Sequence, residues 1–273
     1  MLPGQEAFAQ AKAAAAKALA LDDSLGEAHA SLALALDLYG WEWKAAEAEY
    51  QRAIELKPGY TPAHQWYSWH LIMLGRNSEG IYELRKAESL DPLSLIISAD
   101  VTNALRVARR YDEAVQQSKK TLEMDVNFAI GHFELGQALV QTQLYDQAIA
   151  QFQRAIELAG RSGAFESNLA YVYGILGRKK EATKILKDLE VRHDENPPVA
   201  ADIALVYVGL GDRDQAMMWL NTACEARFKA SILLHPVFDS LRPDARFKDL
   251  LGRIGLPGRE LYEPITTVRS KSE

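Results

Sequence analysis

The sequence predicts an all-α protein, an α-α solenoid of stacked helical hairpins that ends in a short C-terminal helix. Three observations predict it: two clusters of helical periodicity between residues 129 and 162, their recurrence at an interval of 34, and Gly and Pro punctuation in the same phase. The first cluster reads His132-x-x-Leu135-Gly136-x-x-Leu139 and the second Tyr145, then Ala148-x-x-x-Phe152-x-x-Ala155. Large residues three, four and seven apart occupy one face of a 3.6-residue helix, so each cluster is an amphipathic helix and the break between them is a turn. Gly136 and Ala148 fall where the two helices cross, and a larger side chain there forces the backbones apart.

Copies of the pattern start at Thr61, Leu95, Ala129, Gly163 and Pro197. The copy from Thr61 supplies His64, Tyr67, Ser68, Leu71, Gly75, Leu84, Ala87 and Pro92; that from Gly163 supplies Leu169, Ala170, Tyr173, Gly177, Ala182 and Leu186. Pro197 opens Ile203, Ala204, Tyr207, Gly211, Ala216, Leu220 and Ala223. An earlier copy from Gly26 needs one extra residue, which is expected in the turn Gly40-Trp41-Glu42-Trp43. The copy from Leu95 is the weakest, with Ser118 and Thr121 where a large and a small apolar residue belong.

In chain order, residues 1–25 form a leading half-repeat, a helix from Ala7 to Leu21 whose partner is missing. It either caps the stack or leaves an open edge for a longer superhelix. Six repeats follow over 26–226, divided at 26–60, 61–94, 95–128, 129–162, 163–196 and 197–227. Glycines at Gly75, Gly177 and Gly211 suit the positive φ of helix ends, and Pro58, Pro92 and Pro197-Pro198 separate one repeat from the next. Residues 228–257 are a capping segment, in which Pro243 suits a first turn and Phe247, Leu250, Leu251 and Ile254 form one apolar face. Residues 258–273 form a polar tail expected to be disordered.

These marks match the pattern W-x2-L-G-x2-Y, then A-x3-F, with a Pro near the end, and the chain resembles the tetratricopeptide-repeat family. The ending Pro236-x-Phe238-Asp239-x-Leu241-Arg242, with Asp244, Arg246 and Phe247, looks like the close of tetratricopeptide regions in bacterial multidomain signalling proteins. In those proteins the repeats follow a kinase, a nucleotide cyclase or a winged-helix domain. The resemblance implies a right-handed superhelix whose first helices line a concave groove with positions 5, 9 and 12. Those positions hold Gln65 and Trp69; Asn103 and Arg106; Phe133 and Gln137; and Tyr171. The neighbouring position 6 adds Trp66, Asp100, Glu134, Asn168 and Asp202. The expected groove therefore has aromatic anchors and an acidic seam of Asp100, Glu134 and Asp202, answered only by Arg106. Trp66 and Trp69 are open to a second role as filling between adjacent repeats.

The acidic seam departs from the Lys, Asn and Arg set with which tetratricopeptide co-chaperones hold a terminal carboxylate. The expected partner is a protein or peptide segment with apolar anchors and at least one Arg or Lys. Trp41, the inserted residue, and the open N-terminal edge are candidate surfaces for self-association. A net charge of −6 and a pI near 5.6 argue against a nucleic-acid partner. No run approaches the roughly 18 apolar residues of a membrane span, and Lys12 and Lys17 interrupt the apolar run a secretory leader needs. The expectation is a cytoplasmic protein of a bacterial signalling or regulatory assembly. A detached regulatory partner of a separate kinase, cyclase or transcription regulator is the alternative, and an enzyme with a site between repeats a remote one.

No nucleotide-binding, zinc-protease or nucleophile-elbow motif occurs, so no catalytic residue, cofactor or metal is expected. His29, His64 and His132 recur where the repeat pattern prefers tryptophan and are expected to pack rather than react. Cys224 cannot form an internal disulfide, as it is the single cysteine.

Overall fold

A computed structural model describes residues 4–195, 199–226 and 230–256. The Asn196-Pro197-Pro198 break, Arg227 and the tail 258–273 lie outside the described residues. Helix α1 spans Gly4–Leu21, and six helical pairs follow. They are α2 (Gly26–Ala35) with α3 (Trp43–Leu56), α4 (Thr61–Met73) with α5 (Asn77–Leu90), and α6 (Leu95–Val107) with α7 (Tyr111–Met124). Then come α8 (Ala129–Gln141) with α9 (Tyr145–Ala159), α10 (Gly163–Ile175) with α11 (Lys179–Glu195), and α12 (Ala200–Leu210) with α13 (Arg213–Glu225). The described residues contain no strand. Each helix packs on its hairpin partner and on the next hairpin, which makes the all-α superhelix the periodicity implies.

One backbone feature carries the repeat more faithfully than any side chain. Positive φ recurs every 34 residues, at Trp41 (51°), Gly75 (76°), Arg109 (64°), Gln143 (60°), Gly177 (72°) and Gly211 (80°). From Gly75 onward the next residue's N–H donates to a carbonyl five positions back, as in Arg76 to Leu71 at 2.8 Å and Arg110 to Leu105 at 2.9 Å. That is the Schellman closure, which satisfies carbonyls a helix end leaves without donors. Arg109 and Gln143 adopt it without being glycine, so local backbone preference is overridden by the closure. In the first hairpin Glu42 reaches back six residues, to Leu36, because Leu36–Gly40 is a π-helical turn. The extra residue is therefore absorbed within the helix and not in the turn after Gly40. Trp41 keeps the left-handed position proper to the repeat.

The recurrent histidines hold hairpins together through polar contacts. His64 Nδ1 lies 2.6 Å from Glu83 on the paired helix and Nε2 lies 3.0 Å from the Pro58 carbonyl. His132 repeats this with Gln151 at 2.6 Å and Val126 O at 2.8 Å, and His29 with Glu49 at 2.5 Å and Asp23 O at 3.0 Å. Burial alone would lower the pKa of His64, but Glu83 and the Pro58 carbonyl outweigh it and hold it above the usual value. At Ser118 and Thr121 the apolar pattern is replaced by buried hydroxyls that bond within the hairpin, Thr121 with Ser98 at 2.7 Å and Ser118 with Thr102 at 3.4 Å. Gly136 accepts the Phe152 ring: a Cβ there would stand 2.6 Å from it. The side chain of the facing helix makes this contact, not its backbone.

The C-terminal segment does more than cover the end of the stack. Two 3-10 turns, Ala230–Leu234 and Pro236–Leu241, pack on the first helices α4 and α12, and helix α14 (Ala245–Arg253) packs on α13. Pro243 precedes the Asp244 cap of α14 and stands outside its first turn. Leu233, Leu234, Phe238, Leu241, Phe247 and Leu250 are fully buried in one cluster with Ile72, Leu105, Leu205 and Leu220. Trp43 Nε1 donates to the Ile254 carbonyl at 3.1 Å, and Arg109 Nη2 meets Asp239 Oδ1 at 2.7 Å. Burying one such side chain contributes about 1.5–3 kcal/mol, so these six supply on the order of 10 kcal/mol. A segment held that firmly is part of the core.

Candidate functional site

The filled concave face changes the role of the stripe expected to line it. Arg106 is fully buried; its Nη2 donates to Asn103 Oδ1 at 3.1 Å and lies 3.7 Å from Glu134 Oε2. Burial lowers the pKa of Arg106, and Glu134 opposes this. Glu134, Gln137 and Asn168 are buried too. Gln137 Nε2 donates to Asn168 Oδ1 at 3.1 Å, Asn168 Nδ2 to the Ala164 carbonyl at 2.8 Å, and Ser167 Oγ to Asp202 Oδ1 at 3.1 Å. Gln65 Nε2 likewise donates to Asp100 Oδ2 at 2.6 Å. The polar positions thus bond first helix to first helix, and Arg106, Glu134, Gln137 and Asn168 offer no open surface. In the middle of the stack these positions face the next hairpin, which a groove read from the repeat phase alone leaves out.

The aromatic positions divide. Phe133 packs against Phe165 with centroids 4.9 Å apart and against Phe152 at 6.0 Å. Tyr171 abuts the C-terminal core, and burial pushes its phenol up to about 12. Trp66 and Trp69 are half-buried and border a cavity of about 430 Å³ at the N-terminal end of the concave face. Trp41 and Trp43 line the same cavity, so it collects four of the five tryptophans of the chain. Leu34, Met73, Gln65, Asp37, Asp100 and Ser231 complete much of its wall.

Local structure explains why these side chains converge. The π-helical turn advances the end of the first helix by one residue, and Trp41 then takes the left-handed position, where it is half-buried against the cavity instead of standing out at the turn. π-turns of this kind frequently mark functional positions. Behind the indoles, His70 Nδ1 meets Asp37 Oδ1 at 2.8 Å, with His70 fully buried. Burial holds the Asp37 carboxyl above its usual range, against the pull of His70. Trp41 and Trp43 were not assigned to the groove in the sequence-based expectation; the interval of 34 between Trp41 and Gly75 is the signal that places Trp41 in the repeat.

Asp202 provides a test of the polar ladder. Burial raises its pKa to about 6 from 3.8, although Ser167 and Arg192 act in the opposite direction. A raised folded-state carboxylate contributes stability that is full below the unfolded value of 3.8 and is lost as pH rises through about 6. Asp202→Asn is expected to flatten the fall in stability between pH 4 and 6 and to stabilise the protein at pH 7.5 by about 1–3 kcal/mol. Urea denaturation at several pH values reads both effects.

Comparison with known proteins agrees with this architecture. The tetratricopeptide-repeat family model matches residues 130–161 and 198–229. Pseudomonas aeruginosa PilF is similar over 85% of this chain and 98% of its own, with 16% identity and a TM-score of 0.55. PilW, a type IV pilus biogenesis factor, aligns over 73% of this chain and 90% of its own at 18% identity and a TM-score of 0.60. Human IFIT1, solved as a dimer with m7Gppp-AAAA, aligns over 90% of this chain and 59% of its own at 18% identity and a TM-score of 0.64. No curated protein sequence matches the chain. Two stretches of the chain match the tetratricopeptide-repeat model, and its fold is that of a tetratricopeptide-repeat solenoid. Proteins of that kind are generally non-catalytic scaffolds. Among the described residues no helix is long and apolar enough to cross a membrane, and no group of His, Cys, Asp and Glu is placed to hold a metal ion.

Proposed function

We propose that the protein is a non-catalytic interaction scaffold that holds a peptide or helix of another protein at the N-terminal mouth of its concave face, in a bacterial cytoplasmic signalling or regulatory assembly. The observation that carries this is the cavity of about 430 Å³, where Trp41, Trp43, Trp66 and Trp69 meet beside Asp37 and Asp100. Large rigid aromatics in a concave pocket are the usual anchors of protein recognition. The middle of the concave face, filled by residues 230–256, is not part of the site. The carboxylates favour a partner with apolar anchors and a basic residue and disfavour a polyanion, in keeping with the net charge of −6.

Photo-crosslinking from position 66 tests it, with benzoylphenylalanine in place of Trp66 in the full-length protein in cells. One partner segment crosslinked at 66, and lost on Trp69→Ala and Asp100→Asn variants that keep their circular dichroism, is the expected result. Equal crosslinking by the intact protein and both folded variants would remove the cavity from consideration.

A further inference from the structure

One of the second helices carries a surface that shares no residue with the tryptophan cavity. At the start of α11, Lys179, Lys180, Thr183, Lys184 and Lys187 border an open cleft of about 480 Å³. We infer that this lysine ridge is a second docking surface, and that its occupant is an acidic helical segment of a partner protein.

At about 100° per residue, Lys180, Lys184, Lys187 and Val191 fall in one line along α11, each a turn from the next. The lysines are exposed, and so is Val191, at 61%. Lysines three and four apart on a helix repel one another, and Lys179 and Lys180 stand in the first turn, where the helix dipole disfavours positive charge. The arrangement weakens the helix that carries it. Other second helices balance such charge within themselves, Arg52 with Glu55 at 3.3 Å, Arg85 with Glu88 at 2.7 Å and Arg154 with Glu157 at 3.2 Å. On α11 the nearby acids are engaged elsewhere: Glu181 with Arg178 at 2.9 Å, Asp188 with Arg161 and Arg192, and Glu190 with the Tyr207 hydroxyl at 2.9 Å. Among the described residues none of the four lysines has an ion-pair partner. The negative charge that completes the ridge must come from outside the chain.

The shape of the ridge decides the kind of anion. It is one side chain wide, with Glu181 and Asp188 along one margin and Glu190 along the other. A bilayer or a long polyanion would press its charge on those carboxylates as well as on the lysines. Residues 179–195 include no Phe, Tyr or Trp on which nucleic-acid bases could stack. A helix laid along the ridge can meet the lysines with carboxylates spaced four and then three residues apart, and meet Val191 with an apolar residue one turn further on. That apolar end favours a polypeptide over a phosphate chain, which is charged throughout its length.

Titration of the full-length protein into a labelled, capped alanine-rich helix with Glu at that spacing and Leu one turn further tests this by fluorescence anisotropy. The same peptide with Gln for Glu, phosphatidylserine–phosphatidylcholine vesicles and oligouridylate are the comparisons. The expected result is saturable binding of the Glu peptide, at least tenfold tighter than the Gln peptide and weaker as salt is raised. The double variant Lys180→Gln/Lys184→Gln is expected to weaken it at least fivefold, whereas Lys119→Gln/Lys120→Gln, an exposed pair on α7, leaves it within twofold. The α11 variant relieves repulsion and should melt no lower than the intact protein, which separates lost binding from lost folding. Should it fail to fold, Lys187→Gln alone decides, with at least a twofold loss expected. Equal binding of the two peptides, no binding of the Glu peptide, or equal weakening by the two lysine pairs overturns the inference. Tighter binding of vesicles or oligouridylate than of the Glu peptide also overturns it, and assigns the ridge to a membrane or a nucleic acid.

Discussion

Phe238→Ala is expected to destabilise the protein by about 3–5 kcal/mol and to change the form of its unfolding curve. Phe238 is fully buried in the cluster that joins the C-terminal segment to helices α4, α6 and α12. Removing the ring deletes its transfer free energy and leaves a cavity whose walls are held by separate hairpins and cannot close together. In a solenoid with only neighbouring contacts such a change would be felt locally. Here Trp43 bonds to Ile254 and Arg109 to Asp239, so the segment ties the first and third hairpins to the end of the chain. The intact protein should therefore unfold in urea as one transition by fluorescence and circular dichroism together. The variant should show the tryptophan signal of the N-terminal hairpins separating from the loss of helix. A single coincident transition in the variant, shifted by less than 1 kcal/mol, would mean that the segment is not part of the common core.

The second large effect lies where two first helices touch through their backbones. A Cβ added at Gly209 would stand 2.5 Å from the Tyr171 carbonyl oxygen and 2.7 Å from its Cα, and one at Gly174 would stand 2.5 Å from the Gly209 carbonyl carbon. A flexible side chain could move aside, but helix backbone cannot. Gly209→Ala must push α12 from α10, at a cost of about 3 kcal/mol, near the upper end for overpacking. Gly252→Ala is the internal control: it lies exposed in α14, with nothing within 4 Å of the added methyl, and is expected to stabilise by about 0.5–1 kcal/mol. Thermal melts of the two variants should move in opposite directions. Parallel shifts would show that the contact between α10 and α12 yields easily.

The hairpins were legible because residues such as Leu135, Leu139, Ala148 and Phe152 meet within their own repeat and against its sequence neighbours, and that local geometry is restated every 34 residues. The extra residue before Trp41 was legible as a number but not as a place, since a π-helical turn and a longer loop consume one residue equally. Arg109 and Gln143 gave no sign of positive φ, because the closing hydrogen bonds, and not their side chains, impose it. The site was half legible. Trp66, Trp69 and Asp100 lie on the stripe that the repeat phase singles out, and they do border the cavity. Arg106, Glu134, Gln137 and Asn168 lie on the same stripe, yet they are buried and bonded between neighbouring first helices. Periodicity describes a repeat's relation to its neighbours and carries no record of a contact between residues 43 and 254.

That contact bears on how the protein is made. Helical hairpins of this kind can condense one after another as they leave the ribosome, each on the one before it. Trp43, Trp69 and Arg109 are translated before the residues that pack or bond to them in the segment 230–256. Loop closure over such a span is slow, and the exposed apolar surface is a hazard until it happens. The nascent chain thus carries an uncovered hydrophobic trough until residues 230–256 have emerged, and an emerging polypeptide of this design is a natural client for chaperones that bind at the ribosomal exit.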